Sequence, residues 1–165
     1  MARAGSSTTD CVVRMLKEPT GLPFSIAAVA ERERFPLIPF DEAQVIAQNI
    51  SPELAERSAG VKYPAFYVYC EKITNQLREK FRTFSGKVKL VVDVRVSQDR
   101  LEDLERQLEL CVEAVTDVLD SHRGDWGQGM FYAGGYEVHF GATKHGGKNF
   151  VQSAKVVFEA DVSIN

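Results

Sequence analysis

Few residues in this chain have types and spacing that could do chemistry. In GATKHGGKN, Gly141 to Asn149, glycines and lysines stand at the short polar spacing of a phosphate cradle. A Walker-type loop needs G-x-x-x-x-G-K-[ST] between a strand and a helix, so that backbone amides, a lysine and a magnesium-holding hydroxyl converge on the phosphates. Gly141 and Gly146 have that spacing, but Gly147 stands where the lysine belongs, Lys148 comes one place late, and Asn149 replaces the hydroxyl. Downstream, FVQSAKVVFEADV alternates as a strand, so no helix N-terminus points at an anion. The spacing predicts a hairpin connection whose glycines permit positive φ. Lys144, His145 and Lys148 then form a mobile, partly positive tip, suited to docking on a carboxylate-lined neighbour.

The other chemistry-bearing residues are scattered. His122, His139 and His145 lack a companion at a ligand spacing such as H-x-x-x-H. Cys11, Cys70 and Cys111 are odd in number, far apart and set among apolar neighbours, which matches neither a disulfide framework nor a zinc ribbon and reads as small buried hydrophobes. Glu102, Glu105, Glu109, Glu113, Asp117 and Asp120 lie with Arg106 on one helical stretch and read as a solvated face. These residues predict no catalytic group, no metal site and no cofactor.

DWGQGMFYAGGY, Asp125 to Tyr136, is less ordinary, placing Trp126, Met130, Phe131 and Tyr132 among four glycines on an expected connection. Two readings are open: a loop that folds its aromatics onto the core, or a contact surface, since Trp, Tyr and Met are enriched at interface centres.

The positioning elements are legible in part. In VKLVVDVRV, Val88, Leu90, Val92, Val94 and Val96 share a face against Lys89, Asp93 and Arg95, the period of a half-buried strand. Next, Leu101, Leu104, Leu108, Cys111, Val112, Val115, Val118 and Leu119 recur at helical spacing, with Asp99 and Glu102 placed as a capping box and Gly124 as the stop. GGYEVHF and QSAKVVFEADVSI alternate as two further strands, and AFYVYC (Ala65 to Cys70) follows Pro64 as another. Residues 71–83 fit either a helix through Ile73, Leu77 and Phe81 or a hairpin arm. TTDCVVRMLKE and FSIAAVAERERF read as short helices, and ISPELAERSAG as a helical turn or loop excursion. One domain spanning 1–165 is expected, with a helical and irregular part over 1–62 and the sheet with its long helix over 63–165. The fold class is α+β: a mainly antiparallel sheet with one long amphipathic helix on its apolar face, plus short N-terminal helices.

Composition bounds the function classes. The chain has 165 residues, 44% hydrophobic and 26% charged, which suffices for a core without disulfide or metal. Net charge is −3, against a dedicated nucleic-acid binder, and no sequence-specific nucleic-acid binding is expected. No apolar run approaches the roughly 20 residues that span a bilayer, and MARAGSSTTD has no apolar signal core, so cytoplasmic synthesis without a membrane partner is expected.

Taken in order, CVVRMLKE, YPAFYVYC, FRTFSGKVKLVVDVRVS, RLEDLERQLELCVEAVTDVLD, GGYEVHFG and AKVVFEADVSI resemble the tail terminator, or tail-completion, proteins of long-tailed bacteriophages and prophages. The likeness runs from Thr8 to Ile164, apart from Phe24 to Gly60, which looks like an enlargement; it rests on element order and the texture of these stretches. It implies an assembly role without catalysis. Copies would form a homo-oligomeric ring, commonly a hexamer, on the head-proximal end of the tail tube, stop polymerisation of the tube protein and meet the head–tail connector proteins. It further implies residence in the bacterial host cytoplasm during assembly and then in the virion tail. Lys144, His145, Lys148 and Asn149, with Trp126, Met130, Phe131 and Tyr132, are the expected interface residues. Two other readings stay open: a small-molecule-binding α+β module, and an enzyme whose site assembles from distant residues such as Cys70, Glu137 and His139.

Overall fold

A computed structural model describes residues 3–57, 60–146 and 149–165. Two helices open the chain, α1 (Ala4–Lys17) and α2 (Leu22–Arg32), followed by a 3-10 turn at Glu42–Gln44 and the short strand β1 (Val45–Ile46). After α3 (Pro52–Arg57) come two long strands, β2 (Ala65–Asn75) and β3 (Phe84–Gln98), and the helix α4 (Leu101–Ser121). The short strands β4 (Gly124–Gly127), β5 (Met130–Tyr132), β6 (Glu137–Phe140) and β7 (Lys144–Gly146) lead into β8 (Asn149–Ile164).

All strands lie in one sheet, in the order β1-β2-β3-β8-β5-β4, with β6 and β7 also paired to β8. Only the β1–β2 pairing is parallel among the described residues. β3 and β8 run in continuous antiparallel register from Phe84↔Ile164 to Gln98↔Phe150. Along the other side of β8 lie, in succession, β5 at Val162 and Asp161, β6 at residues 154–157, and β7 at residues 149–151. Residues 130–146 thus behave as one interrupted strand.

Period-two alternation sets the core. Val88, Leu90, Val92, Val94 and Val96 of β3 share a face with Val156, Phe158, Ala160 and Val162 of β8, and all are buried. Across them α4 lays Leu104, Leu108, Cys111, Val115 and Leu119, also buried. Burying each such Leu or Val side chain is worth about 1.5–3 kcal/mol, so this helix–sheet layer carries the fold. The α+β class expected from the sequence is the one observed. Val12 and Leu16 of α1 and Leu22, Ile26 and Val29 of α2 extend the same core. Arg32 of α2 reaches Glu113 of α4, and the Arg106 guanidinium donates to the Glu33 carbonyl at 2.8 Å.

Several local expectations need correction. α4 begins after Arg100, whose extended backbone caps it without a side-chain bond, so Asp99 is not its cap; Leu101 is exposed rather than part of the stripe. At the other end His122 Nδ1 lies 2.7 Å from the Val118 carbonyl, an arrangement in which that nitrogen donates to the orphan C-terminal oxygen. Residues 71–75 continue β2, and 76–83 form the β2–β3 connection, not a helix. A bulge between Cys70 and Lys72 shifts the register, so that Cys70 and Ile73 both turn toward the core face.

β3 is also buried more deeply than its alternation implies. On the face away from α4, Ala65, Tyr67 and Ala55 of α3 form a second, smaller core with Ile46, Ile50, Val61 and Tyr63 around it. This roof encloses Asp93 and Arg95, whose side chains are 5% and 3% exposed and meet at 2.9 Å. The Arg95 guanidinium also donates to the Ile50 carbonyl and stacks 4.2 Å from the Tyr67 ring centroid.

Candidate interaction surfaces

The glycine segment is mostly strand. The Gly141 amide donates to Ser153 O at 2.8 Å, and Gln152 Nε2 donates to Gly141 O at 3.0 Å. Lys144, His145 and Gly146 then pair with Val151, Phe150 and Asn149. A backbone committed to a ladder cannot cradle a phosphate, and no helix follows it. Residues 144–146 are thus paired strand where an open connection was expected: Lys144 lies 3.8 Å from Glu53 of α3, and the His145 ring sits 4.9 Å from that of Phe150. Asn149 is exposed as the first residue of β8, while Lys148 lies outside the described residues. Lys144, His145 and Asn149 therefore stand together at one corner of the sheet.

The aromatic segment is a hairpin, not a loop. β4 and β5 are joined by Gln128 (φ 54°) and Gly129 (φ 82°), a two-residue turn of the doubly positive kind that suits the twist of paired strands. A Cβ on Gly129 would lie 2.1 Å from Ser163 O, whose own amide donates to Gly129 O at 2.9 Å, so only glycine fits there. The hairpin turns Trp126 and Tyr132 inward. Trp126 Nε1 donates to His122 O at 2.7 Å and its ring packs 5.4 Å from Tyr132, which meets Phe158 edge-on at 5.7 Å. Tyr132 is fully buried, donates to Gly135 O at 2.8 Å, and has its hydroxyl pushed up to about 12 by burial. Of the four candidates in this stretch, Met130 and Tyr132 are core, Trp126 is half-buried, and Phe131 (48% exposed) alone faces outward.

The thiol constellation does not assemble. Glu137 stands opposite Val157, which pairs with Val91 and then Tyr69, on the sheet face away from α4. Cys70 pairs with Leu90 on the other face, three strand spacings away, or about 14 Å. His139 lies instead 3.2 Å from the Glu137 carboxylate, both side chains in solvent. Burial raises the thiols of Cys11 and Cys70, and pushes Cys111 up to about 12, conditions that disfavour the nucleophilic thiolate. Among the described residues no group of three or more His, Cys, Asp or Glu is placed to hold a metal ion, and no helix is long and apolar enough to cross a membrane.

Two surfaces went unread in the sequence. In the 76–83 connection Phe81 is 98% exposed at φ 66°, with Leu77 also exposed at φ 47°. Hydrogen bonds hold this connection: Leu77 N to Asn75 Oδ1 (3.2 Å), Glu79 N to Ser85 Oγ (3.2 Å) and Ser163 Oγ to Glu79 Oε2 (3.0 Å). The second is at β6, where Val138 and exposed Phe140 lie on the α4 side and exposed Tyr136 immediately precedes the strand.

The fold is thus α+β, with Phe81, Phe131, Tyr136 and Phe140 exposed on its surface. Neither protein-family models nor curated proteins yield a match to the chain.

Proposed function

We propose that the chain is a non-catalytic assembly subunit of a long-tailed bacteriophage or prophage, a tail terminator that caps the tail tube as an oligomeric ring, ends tube polymerisation and joins the tail to the head. The observation that carries this reading is the element order: N-terminal helices with a short strand, two long hairpin-paired strands, one long amphipathic helix, then four short strands and a long closing strand. That order follows the stretches through which the sequence resembles the tail terminators. Exposed Phe81, Phe131 and Phe140 support it, since a subunit with several partners needs apolar surface beyond its own core. A ring also needs a head-to-tail contact, in which two different surfaces of one subunit meet. Its partners are then further copies of itself, the tail tube protein and the head–tail connector proteins, met in the host cytoplasm during assembly and retained in the virion tail. Deleting the gene from the phage or prophage that encodes it tests the reading. The expected result is overlong tubes unattached to filled heads, restored by the gene in trans; normal tails on infectious particles would overturn it.

A further inference from the structure

Among the described residues the sheet has several open edges, and two of them are complementary. On one side, β1 covers β2 only at Phe66 and Tyr67, so the outer edge of β2 from Tyr69 to Asn75 has no partner strand among the described residues. Alongside that vacant edge runs a groove of about 500 Å3 between α1 and the chain at 47–49, with Gly5, Thr9, Asn49, Cys70 and Ile73 in its walls. Gly5 lets α1 approach β2 closely beside it: a Cβ there would sit 3.1 Å from Ile73 Cδ1 and 3.2 Å from Cys70 Sγ. On the other side, β6 pairs with β8 alone, so its second edge has no partner strand among the described residues.

An unpaired edge carries a row of amides and carbonyls that a further strand can satisfy, with side-chain pockets supplying selectivity. The groove asks for a strand with apolar side chains at alternate positions on the α1 and α4 side of the sheet. β6 has that pattern, with Val138 and Phe140 (53% exposed) on that side and Glu137 and His139 on the other, and Tyr136 (39% exposed) immediately precedes it. Opposite the groove, β2 presents exposed Lys72, of charge opposite to Glu137. From these features we infer that β6 of one copy adds to the β2 edge of the next, seating Tyr136 and Phe140 in the groove beneath α1. Because the two edges differ, the contact is head-to-tail and repeats, closing wherever its rotation closes. The inference rests on the proposed ring and specifies which surfaces form it.

Native mass spectrometry of the purified chain and of the Tyr136→Glu/Phe140→Glu variant tests it, with hydrogen exchange measured on both. Both side chains are exposed, so the far-ultraviolet dichroism should not change. The expected result is an oligomer for the wild type, a monomer for the variant, and amides at 69–75 and 137–140 that exchange at least tenfold more slowly in the oligomer. An oligomer that survives the double substitution, or whose 69–75 amides exchange as in the monomer, overturns the strand pairing while leaving the ring standing. The latter outcome would leave that edge to a strand of another protein. A wild-type chain that stays monomeric at every concentration overturns both.

Discussion

Separating Asp93 from Arg95 should be among the most costly surface-to-core errors this fold can suffer. Both side chains are almost wholly enclosed beneath the roof that Ile46, Ile50, Ala55, Val61 and Tyr63 help to form, and Asp93 Oδ1 and Arg95 Nε and Nη1 have no hydrogen-bond partner among the described residues. Removing one member of a buried pair leaves an uncompensated charge and typically costs about 3–5 kcal/mol. The two single changes should not be equal. Asp93→Ala strands a guanidinium that cannot lose its proton, whereas Arg95→Met strands a carboxyl that can take one up. Arg95→Met also loses the donor to Ile50 O, worth about 1.5–3 kcal/mol as a charged hydrogen bond, and the stacking on Tyr67, worth up to about 2 kcal/mol. The Asp93→Ala/Arg95→Met double variant removes both charges and should be more stable than the sum of the single losses by at least about 2 kcal/mol. Urea unfolding followed by circular dichroism gives all four corners of the cycle. Strict additivity, or a loss below about 1 kcal/mol for Asp93→Ala, would refute the enclosed pair and with it the placement of the roof.

Other consequences are simpler. Leu108→Ala empties a fully buried site between α4 and the sheet and should cost about 2–5 kcal/mol in the same assay. Gly129→Ala puts a Cβ against Ser163 O at positive φ and should lower stability by about 1–3 kcal/mol, most visibly as faster amide exchange in the β4–β5 hairpin. Burial lifts Cys111, Tyr63 and Tyr132 from ordinary values of 9.0 and 10.0 to about 12, so the folded chain keeps protons that the unfolded chain releases. That stability is fully present below pH 9 and is lost as pH rises toward 12; melts from pH 8 to 12 should decline, and a flat profile would contradict the burial. Lys144→Glu breaks only an exposed pair with Glu53, so melting should barely change while tube capping weakens; full capping by this variant would remove Lys144 from the interface.

How far the sequence spoke depended on how local each cause is. The α4 stripe and the alternation of β3 and β8 are properties of short windows, and Leu104, Leu108, Val92, Val94, Val156 and Phe158 are all buried as those windows predict. Burial of Asp93 and Arg95 was not legible because their cover comes from Ile46, Ile50, Ala55, Val61 and Tyr63, remote in the chain and weakly patterned. The ambiguity at 71–83 has a physical source in the bulge after Cys70, which brings Ile73 back to the core face; Leu77 and Phe81 continue a helix-like spacing although both are exposed. In the aromatic segment the inward Met130 and Tyr132 flanking outward Phe131 already spell a strand, but the Gln128–Gly129 turn lacks the usual Asn or Asp at its first position. Contact surfaces were the least legible part, since an exposed Phe81 and a buried one look alike until neighbouring strands are placed.

The central claim is that this chain ends the growth of a tail tube, and the direct measurement is tube length. Tube protein from the encoding phage or prophage would be polymerised with and without the labelled chain, and lengths and label positions read by electron microscopy. The account predicts that growth stops in its presence, with label at one end of each tube. Tubes that grow equally long, with the chain absent from their ends, would contradict it.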